Sequence, residues 1–104
     1  MSEFNGESRG PNARCFEDLW IWQQARELVR AVYLDFGEGT PAARDFGFRG
    51  QIHTAATSIM NNIAEGFERT TRREFQRFLD IAKGSCGEVR SMYYELVSKR
   101  GTGT

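Results

Sequence analysis

Apolar residues return every three or four positions along three long stretches of the chain, separated by polar segments with glycine, threonine or proline. In the first stretch Trp22, Ala25, Val29, Val32 and Phe36 keep this rhythm, and Leu19, Ile21, Leu28 and Tyr33 widen it. Such spacing gathers side chains on one side of a helix, and a stripe this broad implies contact with more than one neighbour. The first helix is expected from near Phe16 to Asp18 as far as Phe36, with Glu17 and Asp18 complementing the positive end of its dipole. Gly37, Gly39, Thr40 and Pro41 then break the pattern. Residues 37–47 therefore read as a loop, with one helical turn at Pro41 to Arg44.

The second helix is expected over roughly Phe48 to Phe67. Its small and β-branched face (Ala55, Ala56, Ile59, Ile63, Ala64) lets partner helices approach closely, as the middle of a bundle requires. Asn61, Asn62 and Glu65 are the polar groups expected near this core. Gly66 suits the end of the helix, where a left-handed residue is least costly as glycine. Thr71 to Glu74 reads as a reciprocal capping pair that starts the third helix. That helix runs to about Lys99 on Phe75, Phe78, Ala82, Cys86, Val89, Tyr93 and Leu96. Gly84 and Gly87 each cost ~1 kcal/mol there, which predicts a bend or a close helix contact, although the register survives both. The fold class is all-α: an up-and-down bundle of three long helices, four-helix-bundle-like. Three helices cannot cover Trp20, Trp22, Tyr93 and Tyr94 within one chain, so these residues are expected at the interface of a homo-oligomer.

Composition adds limits. A chain of 104 residues is one domain. Residues 1–15 read as a flexible arm, 16–100 as the bundle and 101–104 as a frayed tail. The fourteen basic and fourteen acidic residues cancel, but residues 1–45 hold five basic and eight acidic groups against nine and six in 46–104. The basic half contains the corner between the second and third helices. Cys15 and Cys86 lack metal or disulfide spacing and read as reduced thiols. With no membrane span or hydrophobic signal core, a cytoplasmic protein is expected.

Chemistry is sparse. Asn62 and Glu65 share a helical face, open to two readings: a polar pocket, or hydrogen bonds across helices that fix register. The rule that buried polar groups are satisfied internally favours the second. Arg69, Arg73 and Arg77, spaced by four, form a candidate ridge with Arg72 beside it and Arg49 as an addition. Such a ridge contacts nucleic-acid phosphates without reading sequence. The alternative is a solvated face whose arginines pair with Glu68, Glu74 and Asp80. His53, without a second ligand, reads as a surface or interface histidine, and Cys86 as a small core residue. Trp20 and Trp22 read as packing rather than base stacking. The carboxylates form no paired cleft, so no enzyme, metal site or cofactor is expected.

Certain residues also carry a resemblance. Phe16-Glu17-Asp18-Leu19 with Trp22, Asn62-Ile63-Ala64-Glu65-Gly66, Glu74-Phe75, Arg77-Phe78-Leu79, Ile81-Ala82 and Gly84-Ser85 occur in this order. Over about residues 16–97 the chain resembles the 23S rRNA intervening-sequence proteins (S23-like), a four-helix bundle family of bacteria. The resemblance implies a ring-like homo-oligomer, typically a pentamer, with no assigned catalytic residues and a role unknown for most members. Relatives serve diversity-generating retroelements, where a basic surface is thought to engage nucleic acid and a reverse transcriptase. Met60-Asn61 stands where the family often has Pro-Ser, and His53 where arginine is common, so a weaker basic surface is expected. The chain also stops where relatives carry a last helix. The fourth position is then absent, supplied by a break in helix three, or filled by a neighbouring subunit. Two functions follow as expectations: an oligomeric scaffold or accessory factor that binds RNA or DNA through the ridge, or a protein-interaction module with no nucleic-acid role.

Overall fold

The structure, a computed structural model, describes residues 13–102, with side chains described through residue 98. A 3-10 turn, Phe16–Asp18, precedes three α-helices: α1, Trp20–Phe36; α2, Phe46–Phe67; and α3, Arg72–Thr102. A second 3-10 turn, Pro41–Arg44, lies in the first loop, where one helical turn was expected. The expected flexible arm lies outside the described residues up to position 12. Among its last residues, Ala13 already packs against the core.

Several boundaries differ from the sequence reading, each for a local reason. The first helix does not run through from Phe16. Leu19 is extended (φ −75°, ψ 124°) and 3 % exposed, so the backbone breaks in order to aim this side chain into the core. Glu17 and Asp18 consequently sit before α1 rather than in its first turn. The Arg14 N–H donates to Asp18 Oδ2 at 3.0 Å, and this bond holds the Asp18 carboxyl below the usual carboxylate range. α2 starts two residues earlier than expected because Asp45 caps it, its Oδ1 accepting from the Phe48 N–H at 3.2 Å. α3 continues through Gly101 and Thr102, expected as a frayed tail, and residues 103–104 lie outside the described residues. It also runs unbroken past Gly84 and Gly87, so no break in the third helix supplies a fourth.

α2 is the central element, packed against both α1 and α3. Its small-residue face does this work: Ala55, Ala56, Ile59 and Ile63 are buried. Val32 and Phe36 of α1 and Ile52 and Ile63 of α2 are fully enclosed, each worth roughly 1.5–3 kcal/mol of burial. At the end away from the corner α1 also meets α3. There the Tyr93 hydroxyl donates to Asp35 Oδ2 at 2.6 Å, and the Phe36 and Tyr93 rings sit edge to face, 5.8 Å apart. Burial, and the bond to this carboxylate, push the Tyr93 phenol well above its ordinary value. Among the described residues no helix is long and apolar enough to cross a membrane.

Candidate nucleic-acid interface

The corner is built around Gly66, though not for the reason its sequence suggests. Gly66 is helical, and among the described glycines only Gly39, in the first loop, has positive φ (90°). A Cβ on Gly66 would lie 2.7 Å from Phe78 Cβ and 2.9 Å from Phe75 Cδ1. Glycine is needed here so that α2 and α3 can approach each other, not for a left-handed cap. α2 ends one residue later, and the Glu68 N–H closes the last turn on Ala64 O and Glu65 O. Thr71 Oγ1 then accepts from the Glu74 N–H at 3.1 Å, the expected cap, without the return bond from Glu74.

This turn separates the predicted arginines. Arg69 lies before α3 begins, so the spacing of four does not carry across the corner. Its Nη2 donates to Glu65 Oε2 at 2.7 Å, and its guanidinium covers the Phe78 ring at 4.9 Å. Arg49 is not part of the ridge: it lies seventeen residues before Gly66 in α2, ~25 Å along the axis, and its Nη1 donates to Ala43 O. Arg72, Arg73 and Arg77 do come together, lining a shallow hollow of about 760 Å³ with Glu74, Gln76 and Asp80. Among the described residues none of the three has a carboxylate within 4 Å. The expected pairing with Glu68, Glu74 and Asp80 therefore does not form, and Asp80 accepts instead from Gln76 Nε2 at 3.2 Å. Arg72 and Arg73 occupy the first turn of α3, the positive end of its dipole, where a cation costs about 0.3–1 kcal/mol at low salt.

The other predicted residues are placed as follows. Glu65 is exposed and Asn62 half-buried, and among the described residues no polar side chain is buried. They do not bond across helices. Asn62 Nδ2 donates to Ser58 O and Oγ one turn back, while Ser58 Oγ meets Ser85 Oγ at 3.0 Å and so provides the link to α3. Of the aromatic residues expected at an interface, Trp22 packs edge to face on Phe16 at 5.2 Å, and Tyr93 is engaged with Asp35. Trp20 and Tyr94 are exposed. His53 is half-buried between α1 and α2, its ring 4.5 Å from that of Tyr33 and its Nε2 without a hydrogen-bond partner. Among the described residues no three His, Cys, Asp or Glu side chains form a group able to hold a metal.

Cys86 is not a core residue. It is exposed and lines a groove between α1 and α3. Ile21 and Leu28 form one wall, Leu79 and Cys86 the other, and Ile59 and Ile63 the floor, enclosing about 480 Å³. Among the described residues Lys83 is the only charged one along it. The apolar periodicity held the groove's residues but could not reveal it, because the same spacing serves a closed seam and an open one.

No curated protein and no solved structure matches the chain. A family model described as 23S rRNA-intervening sequence protein matches residues 17–102, a span that takes in all three helices, the corner and the arginine hollow. The chain therefore belongs to the 23S rRNA-intervening sequence protein family.

Proposed function

We propose that the protein is a non-enzymatic, cytoplasmic, homo-oligomeric scaffold or accessory factor of bacteria, a pentamer being favoured, that holds RNA or DNA by its phosphates. The observation supporting this is the cluster of Arg72, Arg73 and Arg77, with no carboxylate within 4 Å among the described residues. Two of these residues crowd a helix end where cations are disfavoured. A polyanion relieves that cost and the mutual repulsion together. Contacts of this kind position a backbone without reading its sequence, and repetition around an oligomer multiplies weak contacts by avidity.

The test is retention of single-stranded and duplex nucleic acid over a salt series. Binding falls with rising salt, and replacing all three arginines by alanine removes ~2–3 from the log–log salt slope for each engaged subunit. Unchanged retention in the triple variant, or none at low salt in the parent, overturns the reading. A second reading, a protein-interaction module with no nucleic-acid role, is favoured by the exposure of Trp20 and Tyr94. It predicts retention of a protein ligand that Trp20→Ala or Tyr94→Ala weakens and salt does not.

A further inference from the structure

The arginine hollow holds a group that phosphate binding alone does not call for. Asp80 follows Arg73 by seven residues and Arg77 by three on α3, so it falls within about 60° of both around the helix axis. It is exposed and lines the same hollow as these arginines. Glu74, the other carboxylate of the hollow, stands about 120° round the helix from Asp80. Asp80 is therefore the acid set among the cations, yet it neutralises none of them. Among the described residues no arginine nitrogen comes within 4 Å of it. Gln76 Nε2 donates to its Oδ1 at 3.2 Å, and its Oδ2 has no hydrogen-bond partner among the described residues.

In a site for phosphate alone this carboxylate is a defect, because it repels the charge that the arginines attract. A carboxylate accepts hydrogen bonds and donates none. The backbone of DNA has nothing to give it, since phosphate, ester and ring oxygens are all acceptors. The backbone of RNA carries one donor per nucleotide, the ribose 2′-hydroxyl. A strand held by its phosphates on Arg73 and Arg77 passes its sugars over the next turn of α3, where Asp80 stands. Hydrogen bonds to a carboxylate are the stronger, charge-assisted kind, so a hydroxyl there offsets the repulsion that a deoxyribose leaves unanswered.

We propose that Asp80 selects RNA over DNA at this hollow, its Oδ2 accepting from a ribose 2′-hydroxyl while Arg73 and Arg77 hold the neighbouring phosphates. The proposal rests on the phosphate-binding reading above and narrows its ligand. Arginine supplies attraction to any nucleic-acid strand, and the acid among the arginines supplies the choice of sugar.

The test uses the full chain and four fluorescein-labelled oligouridylates of one length, alike except at the sugar: 2′-hydroxyl, 2′-deoxy, 2′-O-methyl and 2′-fluoro. Fluorescence anisotropy at low salt reads each affinity. The base is constant, and the methyl and fluoro sugars keep a ribose-like pucker without a donor. The hydroxyl strand is expected to bind ~10-fold more tightly than the other three. Asp80→Asn removes the repulsion but keeps an acceptor, so the deoxy strand tightens, the hydroxyl strand changes little, and the preference falls to within ~3-fold. Asp80 is exposed, and circular dichroism of the variant verifies the fold. Equal affinity for the hydroxyl and deoxy strands overturns the proposal and leaves the arginine reading standing. Methyl and fluoro strands that bind as the hydroxyl strand does also overturn it, since pucker rather than a donor then decides. Asp80→Asn tightening all four strands by one factor overturns it as well, making Asp80 a solvated acid that merely opposes phosphate. Absence of salt-dependent binding by any strand removes both readings.

Discussion

Gly66→Ala is the sharpest probe of how the corner is made. The new methyl would lie 2.7 Å from Phe78 Cβ and 2.9 Å from Phe75 Cδ1, whereas carbon atoms rest about 3.5–4.0 Å apart. α3 must retreat by roughly an ångström near its start, or Phe75 must leave its rotamer and its edge-to-face contact with Phe67. Overpacking of this kind costs about 1–3 kcal/mol. Alanine returns ~1 kcal/mol as the better helix former, so a net loss of about 0–2 kcal/mol is expected. In a domain of this size each kcal/mol lowers Tm by roughly 4–8 °C. Urea titration followed by circular dichroism reads it as a lower midpoint at constant slope. Gly66→Asn separates the two explanations for the glycine. Asparagine is the next best residue in a left-handed cap, but it is larger than alanine and must be worse at a close approach. Gly84→Ala is the control: nothing lies within 4 Å of its Cβ, and a gain of up to ~1 kcal/mol is expected. If Gly66→Asn proves as stable as the parent, or more stable than Gly66→Ala, the close-approach argument is wrong.

Further outcomes are expected elsewhere. Asp45→Ala removes the cap on the Phe48 N–H and lowers stability by ~1 kcal/mol in the same titration, with Asp45→Asn retaining most of it. Ile63→Ala, at a site 1 % exposed, costs about 2–5 kcal/mol, while Leu34→Ala, on the surface, is near neutral in a single-chain particle. Tyr93→Phe loses the bond to Asp35, roughly 0.5–1.5 kcal/mol. Because the Tyr93 phenol is raised in the folded state, its contribution is complete below the ordinary tyrosine value of about 10 and declines as pH rises above it. Stability measured from neutral pH upward should therefore fall more steeply in the parent than in Tyr93→Phe, and parallel curves would refute this assignment.

Local rules carried the sequence reading a long way. Three helices, the turn at Pro41–Arg44, the Thr71 cap and the buried side of α2 all follow from spacing and end signals, because helix periodicity and capping depend on neighbours within one or two turns. The matched residues likewise disclosed the family, since motif order is a property of the chain alone. Arg72, Arg73 and Arg77 were legible as a cluster because two turns of one helix hold them.

What the sequence could not express was any relation between helices. Spacing treats Arg69 as the head of a ridge, whereas the corner turns it onto Phe78 and Glu65. Gly66 reads as a conformational glycine until the distance to Phe78 is known, and Cys86 as core until the divergence of α1 and α3 leaves it on an open wall. Asn62 and Glu65 share a face in the pattern, yet neither reaches another helix, and Ser58 and Ser85 make that link instead. One-dimensional order determined which residues are helical and which side of each helix is apolar. Tertiary structure alone decided which apolar side is covered and which charges remain unpaired, because both depend on distances between residues far apart in the chain.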